Sequence, residues 1–148
     1  MNAPIRWPAE AVWEAVSPLL PGFTVEVLPT IDSTNTELMR RARAGQVEPV
    51  LLVAEQQTAG RGRMGRAWHS QAGDSLTFSL GMPLAPVNWS GLSLAVGVSV
   101  AESLQPVLPP AGGAVPRVGL KWPNDLWLGG RGGDRKLGGI LVETASFV

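Results

Sequence analysis

The order of patterns between residues 50 and 82 restricts the fold of this chain more than any other feature. Residues 50–54 (Val-Leu-Leu-Val-Ala) form a short apolar run that predicts a central strand. After a polar stretch come residues 60–66 (Gly-Arg-Gly-Arg-Met-Gly-Arg), whose glycines satisfy the G-x-G-x-x-G pattern. In a dinucleotide-binding fold that pattern directly follows a strand and opens a helix. Here the next pattern is the alternation of apolar and polar residues at 76–82, which predicts another strand and excludes that fold.

The remaining patterns alternate between helix and strand. Helices are predicted at residues 8–20, at residues 34–45 and, as a buried helix, at residues 91–105. Further strands are predicted at residues 23–28, 118–122 and 137–142. Because the strands are separated by helices or joined as hairpins, we expect a mixed α/β sheet. No internal repeat or domain boundary interrupts the pattern, so residues 1–148 are expected to form one domain.

Composition excludes several classes of function. The formal net charge is zero, from 12 basic and 12 acidic side chains, whereas a generic nucleic-acid binder carries a clear basic excess. The absence of cysteine excludes disulfides, thiolate metal sites and cysteine nucleophiles. The single histidine, His69, has no partner of the kind that a metal site or a catalytic triad requires. With no secretory signal and no apolar stretch of membrane-spanning length, the chain is expected to be cytoplasmic, with no membrane partner.

Residues 60–66, called the glycine–arginine segment below, form the first candidate for chemistry. Arg61, Arg63 and Arg66 alternate there with glycines that let backbone amides approach a ligand. Guanidinium groups and exposed amides suit phosphates and carboxylates, but the same composition is typical of a mobile basic turn. The residues alone favour neither interpretation. Trp68, beside the segment, is the tryptophan best placed to wall a ligand pocket.

The second candidate is Lys121-Trp-Pro-Asn-Asp125. Lys121 lies on a predicted strand between two large apolar residues. It either has a structural role, extending along apolar surface or pairing with a carboxylate, or it acts as an electrophile for phosphoryl and acyl oxygens. Asn124 and Asp125 are typical of a turn, and for these two residues the structural interpretation is favoured.

The third candidate is Asp32-Ser-Thr-Asn35, at the start of the second predicted helix. Thr34 and Glu37 have the spacing of a capping box, which predicts Thr34 as the N-cap. Ser, Thr and Asn are ordinary caps. A helix N-terminus and its hydroxyls also bind polar ligand groups.

Taken in order, these segments resemble the catalytic domain of biotin protein ligases over about residues 30–144. The matching motifs are Ser33-Thr34-Asn35, then Gln57 with the glycine–arginine segment and Trp68, then Lys121–Asp125, and then Arg135–Glu143. The resemblance implies an α/β (α+β) fold with a mixed, largely antiparallel sheet flanked by helices, like that of biotin/lipoate ligases and class II aminoacyl-tRNA synthetases. Compared with the family, the chain lacks a C-terminal barrel domain and an N-terminal winged helix. We therefore expect a partial catalytic domain over 1–148 that does not bind DNA.

The resemblance implies ATP-dependent activation of biotin to biotinyl-5′-adenylate and transfer to a lysine of the biotin carboxyl carrier protein of acetyl-CoA carboxylase. It further implies Mg²⁺ as a cofactor, with metal ligands unassigned, and it allows a homodimer. It makes Lys121 and Arg63 the catalytic residues. The biotin-binding residues that it implies are Ser33, Thr34, Asn35, Gln57, Arg61, Gly62, Arg63, Lys121, Gly138 and Gly139. Those that it implies for ATP and the adenylate are Gly60, Arg61, Arg63, Arg66, Trp68, Asn124 and Lys136.

Two alternatives stay open beside this interpretation. The first is a lipoate ligase or transferase, which shares the fold and the activation strategy. The second is a truncated biotin-binding fragment without full catalysis.

Overall fold

The computed structural model describes residues 3–146, which form two compact units. The first unit comprises the chain up to Ala85 together with Glu143 and the residues after it, and the second comprises Pro86–Val142. Each unit is described by itself.

The first unit is built on a three-stranded sheet with two helices. Its elements are α1 (Ala9–Val16), β1 (Thr24–Ile31), α2 (Thr34–Arg43), β2 (Val50–Gln57), β3 (Gly60–Arg61), a 3-10 turn (Arg63–Gly65), β4 (Ala67–Trp68) and β5 (Thr77–Gly81). In the sheet, β2 lies in the centre, parallel to β1 and antiparallel to β5. A separate two-stranded ribbon joins β3 to β4. The mixed sheet follows the prediction made from the chain pattern.

The apolar run at residues 50–54 supplies the centre of the core. Leu52, Val53 and Ala54 are all buried, with Leu52 fully so. Burial of a leucine side chain stabilises a fold by about 1.5–3 kcal/mol. The strand continues beyond the predicted run, because the pairing of β2 with β1 extends to Ile31 opposite Gln57. Gln57 is therefore held on a strand rather than in a loop.

Strand β5 turns its small and polar residues toward the interior. Ser79 is buried, whereas Phe78 and Leu80 are 47% and 51% exposed. At Gly81 a Cβ would lie 3.1 Å from Leu38 Cδ1 of α2, so the helix packs close against this face. The alternation in the sequence predicts the strand, and α2 determines which face is covered.

The second unit is one helix and an antiparallel meander. It contains α3 (Leu92–Leu104), β6 (Arg117–Lys121), β7 (Asp125–Gly129) and β8 (Arg135–Gly139), with β7 between the other two strands. The helix predicted at 91–105 is confirmed by α3, but its predicted burial is wrong, because Gly97 is the one buried residue of α3. Gly97 marks the stripe that meets the sheet, where a Cβ would lie 2.8 Å from Leu120 Cδ2.

Helices, a mixed sheet and an antiparallel sheet together confirm the expected α+β class.

Among residues 3–146, no helix is both long enough and apolar enough to cross a membrane.

Candidate functional site

The N-terminus of α2 is closed by Ser33. Its side chain accepts a hydrogen bond from the Thr36 backbone N–H at 3.2 Å, which makes Ser33 the N-cap. The prediction of Thr34 as the cap is wrong by one residue. Instead of closing a capping box, Glu37 accepts hydrogen bonds from Arg40 and Arg41. The side chain of Thr34 is thereby available for a different contact.

Thr34 and its neighbours form a connected set of polar contacts, called the α2 polar cluster below. The backbone N–H and the hydroxyl of Thr34 both donate to Gln57 Oε1, at 2.8 and 3.1 Å. Ser79 Oγ lies 2.7 Å from Thr34 Oγ1 and also within hydrogen-bond distance of Asn35 Oδ1. Since a hydroxyl has one proton, Ser79 donates to one of these oxygens at a time. With Ser33, the cluster brings together four of the predicted biotin-binding residues from α2 and β2.

Burial gives the α2 polar cluster a fixed arrangement. Ser33, Thr34 and Ser79 are only 3%, 2% and 8% exposed. A buried polar group without a partner costs about 1–3 kcal/mol, so the hydroxyl and amide groups hold one another in place. Ser79 was not predicted as a site residue, because in the sequence it looks like an ordinary polar residue of an alternating strand. Its place in the cluster is seen only from its hydrogen bond with Thr34, which lies 45 residues away in the sequence.

Glu143 connects the α2 polar cluster to the glycine–arginine segment. Arg61 Nη2 and Nη1 donate to Glu143 Oε1 and Oε2 at 2.7 and 3.2 Å, and Asn35 Nδ2 donates to Oε1 at 3.2 Å. Arg61 Nε also donates to Thr36 Oγ1 at 3.0 Å. Hydrogen bonding by Arg61, and less strongly by Asn35, lowers the pKa of Glu143. In the sequence Glu143 is only the last residue of the Arg135–Glu143 motif, and no function was predicted for it.

The glycine–arginine segment folds as a short ribbon. Gly60 pairs with Trp68 and Arg61 with Ala67, and the Gly62 N–H donates to the Arg66 carbonyl at 2.7 Å. At the tip, Met64 adopts the left-handed backbone conformation, with φ of 58°.

The three arginines of this segment differ in their surroundings. Arg61 is bound to Glu143 and Thr36. Arg63 and Arg66 are exposed, and within the part of the chain that the structure describes their side chains make no hydrogen bond or ion pair. They are the two guanidinium groups of this segment that remain available to an anion.

An open cleft of about 360 Å³ lies between the end of β2 and this ribbon. Gln57, Gly60 and Trp68 line it, together with His69 and Ser70. The Ser70 hydroxyl accepts a hydrogen bond from the Gln57 N–H at 3.0 Å and so fixes one edge of the cleft. The volume falls in the range of small-molecule sites. Trp68 lines this cleft, and its role as a wall of a ligand pocket stays a prediction.

In the second unit, Lys121 lies at the end of β6, directly opposite Asp125 of β7. Asp125 nevertheless pairs with Lys136, whose Nζ is 3.0 Å from Asp125 Oδ1. The Lys121 ammonium lies 4.5 Å from the centre of the Trp127 ring, a distance at which the ring face attracts a cation. The carboxylate nearest in register therefore does not neutralise Lys121.

Asn124 fixes the turn between these strands. Its Nδ2 donates to the Ile140 carbonyl and its own carbonyl accepts from the Ile140 N–H, both at 2.9 Å. Gly138 and Gly139 lie on β8, opposite Leu126 and Asp125. For Asn124 and Asp125 these contacts agree with the structural interpretation.

The predicted site residues thus divide between the units. Those in the first unit are Ser33, Thr34, Asn35, Gln57, Gly60, Arg61, Gly62, Arg63, Arg66 and Trp68. Those in the second unit are Lys121, Asn124, Lys136, Gly138 and Gly139.

Two relatives show how far the similarity extends in sequence. The biotin--[acetyl-CoA-carboxylase] ligase of Mycobacterium tuberculosis is 43% identical over 127 residues, covering 82% of this chain and 44% of the relative. The bifunctional ligase/repressor BirA of Escherichia coli is 43% identical over 129 residues, covering 84% of this chain and 36% of the relative. The chain therefore spans less than half the length of these relatives.

Solved structures extend the similarity to the fold. The biotin protein ligase of Leishmania major in complex with biotinyl-5-AMP superposes with a TM-score of 0.63 at 31% identity, covering 82% of this chain and 52% of that one. The biotin acetyl coenzyme A carboxylase synthetase of Helicobacter pylori, with bound biotinylated ATP, has a TM-score of 0.59 at 31% identity, covering 82% and 55%.

The family model described as biotin/lipoate A/B protein ligase matches residues 27–146. This match confirms the resemblance seen in the motifs. The chain belongs to the biotin/lipoate A/B protein ligase family.

Proposed function

We propose that this protein activates biotin with ATP and transfers the biotinyl group to a lysine of a biotin carboxyl carrier protein. The observation that carries the proposal is a pair of hydrogen bonds through Glu143. They connect Asn35 of the α2 polar cluster to Arg61, at the root (residues 60–61) of the glycine–arginine segment. Support comes from relatives named as biotin ligases. Ligands of the corresponding chemistry are bound in solved ligases, including that of Aquifex aeolicus with biotin and ATP.

The proposed reaction has two steps and needs no protein nucleophile. An oxygen of the biotin carboxylate attacks the α-phosphorus of ATP, and the bond to the β-phosphate oxygen breaks to release pyrophosphate. The ε-amine of the acceptor lysine then attacks the acyl carbon of the mixed anhydride, forms an amide, loses a proton and releases AMP. The protein must hold the carboxylate in line, neutralise phosphate charge and keep water from the adenylate.

For biotin, we propose recognition by the α2 polar cluster. Hydroxyl and amide groups supply the donors and acceptors that a ureido ring requires, and their mutual hydrogen bonds hold them in place before a ligand arrives. Arg61, Gly62 and Arg63 are proposed to lie along the biotin tail, and Gly138 and Gly139 to line the biotin site.

For the reacting groups, we propose Arg63 and Lys121 as the catalytic cations. Arg63 is exposed without a partner among residues 3–146, and Lys121 is not neutralised by Asp125, which pairs with Lys136. These properties favour their use on an anionic ligand. We also propose that Arg63 and Lys121 contact the same bound ligand. The residues proposed for ATP and the adenylate are Gly60, Arg61, Arg63, Arg66, Trp68, Asn124 and Lys136.

Mg²⁺ is proposed as a companion of the nucleotide. Within residues 3–146, no group of at least three acidic or histidine side chains could hold a metal ion. Mg²⁺ commonly binds through substrate phosphates and one or two carboxylates, and no step is assigned to it here. Since the net charge is zero, the proposal is limited to ligation and includes no binding of DNA. We also propose a homodimer as the assembly to test. Because the reaction consumes ATP, we propose that it takes place in the cytoplasm.

The proposal is tested by incubating the purified protein with labelled ATP and biotin. We expect biotinyl-5′-AMP and pyrophosphate that depend on biotin, and then label from biotin on an added carrier domain. A preference for lipoate would move the substrate assignment to the other branch of the family. Calorimetric binding of biotin without formation of adenylate would favour a binding fragment.

A further inference from the structure

Among residues 3–146, Glu143 is the carboxylate that contacts both the glycine–arginine segment and the start of α2. Both of its oxygens bind the guanidinium of Arg61, and Oε1 also accepts from Asn35. Arg61 belongs to the glycine–arginine segment and Asn35 to the start of α2. A paired arginine and carboxylate fixes orientation as well as distance.

The remaining contact of Arg61 strengthens the same connection. Its Nε donates to Thr36 Oγ1 at 3.0 Å, so all three guanidinium nitrogens have partners. Thr36 N–H in turn donates to Ser33, the N-cap of α2. The root of the glycine–arginine segment is thereby attached to the first turn of α2, while Arg63 and Arg66 at its tip stay exposed.

We propose that Glu143 is a positioning residue that holds Arg61 and Asn35 at a fixed separation for the ligand. In this arrangement the guanidinium of Arg61 is an internal counter-ion, so the ligand contacts proposed above for Arg61 are limited to its backbone. The charge offered to the phosphate comes from Arg63 and Arg66 at the tip of the segment. The inference rests on the proposed function, since it assumes that Asn35 contacts biotin.

The kinetic test compares Glu143→Gln with the parent protein. The amide keeps the size of the side chain but removes the charge and turns a donor toward Arg61. Because Glu143 acts through binding residues, we expect the KM for biotin to rise about tenfold while kcat changes by less than about twofold. Glu143→Asp, which keeps the charge, should recover part of the affinity. Glu14→Gln, at an exposed position on α1, is the matched control and should leave both constants unchanged.

A double-mutant cycle with Arg61→Gln separates this role from direct contact between Arg61 and phosphate. If the pair acts as one unit, Glu143→Gln should raise the KM for biotin by a smaller factor in Arg61→Gln than in the parent, and the remaining rise reflects the separate contact of Glu143 with Asn35. Additive effects would overturn the proposal. A lower KM for ATP in Glu143→Gln, with biotin unaffected, would also overturn it, because Arg61 would then be released to bind the nucleotide.

A second readout does not depend on ligase activity. Trypsin cleaves after arginine, so it reports on the residues around Arg63 and Arg66. If Glu143→Gln releases the root of the segment, cleavage at these two residues should become about fivefold faster or more. The reason is that the rate of cleavage follows the fraction of molecules in which the segment is open. Arg61→Lys serves as the second variant if Glu143→Gln does not fold. Equal cleavage of the variants and the parent would overturn the proposal. Faster cleavage in a protein that forms no biotinyl adenylate would keep the positioning role and reject the proposed function.

Discussion

Gly60 lies at a position where the neighbouring atoms leave no room for a side chain. A Cβ there would lie 2.5 Å from the Trp68 carbonyl oxygen and 2.8 Å from Gln57 Nε2. From the sequence, the glycines of the glycine–arginine segment were predicted to be places where a ligand approaches the backbone. At Gly60 the close neighbour is the protein's own strand β4, a partner that the order of residues does not reveal.

Gly60→Ala should therefore damage the ribbon and the cleft beside it. Because the obstacle is a backbone carbonyl that cannot rotate away, we expect a loss of about 1–3 kcal/mol in the free energy of unfolding. Urea denaturation followed by fluorescence measures the loss. Gly119→Ala is the control, since a Cβ at Gly119 meets nothing within 4 Å. Equal stability of the two variants would contradict the close approach at Gly60.

Lys121→Met tests Lys121, the second of the two cations that we propose as catalytic. The ammonium touches the Trp127 ring, a contact worth about 0.5–1 kcal/mol at an exposed position, so the variant should remain folded. The rate of adenylate formation should fall by about a hundredfold or more, as when one group that stabilises developing charge is removed. A folded variant with a near-normal rate would exclude the role proposed for Lys121.

Among the elements, α2 shows both what sequence predicts and where it fails. The helix was expected from its pattern, yet its cap was placed one residue late because Ser33 and Thr34 are both good caps. In the fold the Thr34 N–H donates instead to Gln57 of strand β2, a partner that the local sequence does not reveal. Strand β5 was likewise predicted from alternation, but the burial of Ser79 depends on its contact with α2. Local sequence patterns predicted the helix and the strand. Contacts with residues distant in sequence determined which side chains of each are buried.

The charges beside α2 predict an acid-dependent loss of stability. Hydrogen bonds from Arg40, and then from the Ser33 N–H, lower the pKa of Asp32 from 3.8 to about 2. The unfolded chain therefore takes up a proton at a higher pH than the folded chain. The stabilisation is present above about pH 4 and is lost as the pH falls toward 2.

Unfolding in urea between about pH 6 and pH 2 measures this dependence. Asp32→Asn should flatten the acid limb of the curve relative to the parent. Asp74→Asn, at an exposed loop position, should leave the curve unchanged. Identical curves for Asp32→Asn and the parent would show that the pairing with Arg40 contributes no stability.

The ribbon of β3 and β4 yields a prediction about retention of the intermediate. Arg63→Ala removes an exposed guanidinium that we propose faces phosphate, so biotinyl-5′-AMP should escape into solution several-fold faster. Rapid filtration of the protein-bound adenylate measures the rate. Arg131→Ala, in the exposed turn between β7 and β8, is the matched control. Leakage equal to the parent would contradict the role of Arg63.

In the whole molecule, motif order was more informative than any single motif. The glycine–arginine segment alone left an anion site and a mobile turn equally open, and only four ordered segments pointed to the family. The burial of α3 was predicted wrongly because a continuous apolar run does not tell how much surface is available to cover it. The contact of Glu143 with Arg61 joins residues 82 positions apart, a distance at which no local pattern indicates a pair.

Ligand binding should stabilise the whole molecule if the proposed function is right. At a ligand concentration of about 100 Kd, binding to the folded state alone adds about 2.7 kcal/mol. Thermal melting should therefore show a higher Tm with biotin and ATP together than with either one. Lipoate with ATP is the control, and an equal shift with lipoate would contradict selection of biotin.

Because Asp125 pairs with Lys136, the charge of Lys121 gives the end of β6 a local positive electrostatic potential. Lys121, Asp125 and Lys136 together carry one net positive charge, so the edge attracts anions before any contact forms. At physiological ionic strength such attraction fades over about 8 Å, and at molar salt over about 3 Å. Capture of a triphosphate at this edge should therefore slow as salt is added, even where the rate of the bond-forming step stays constant.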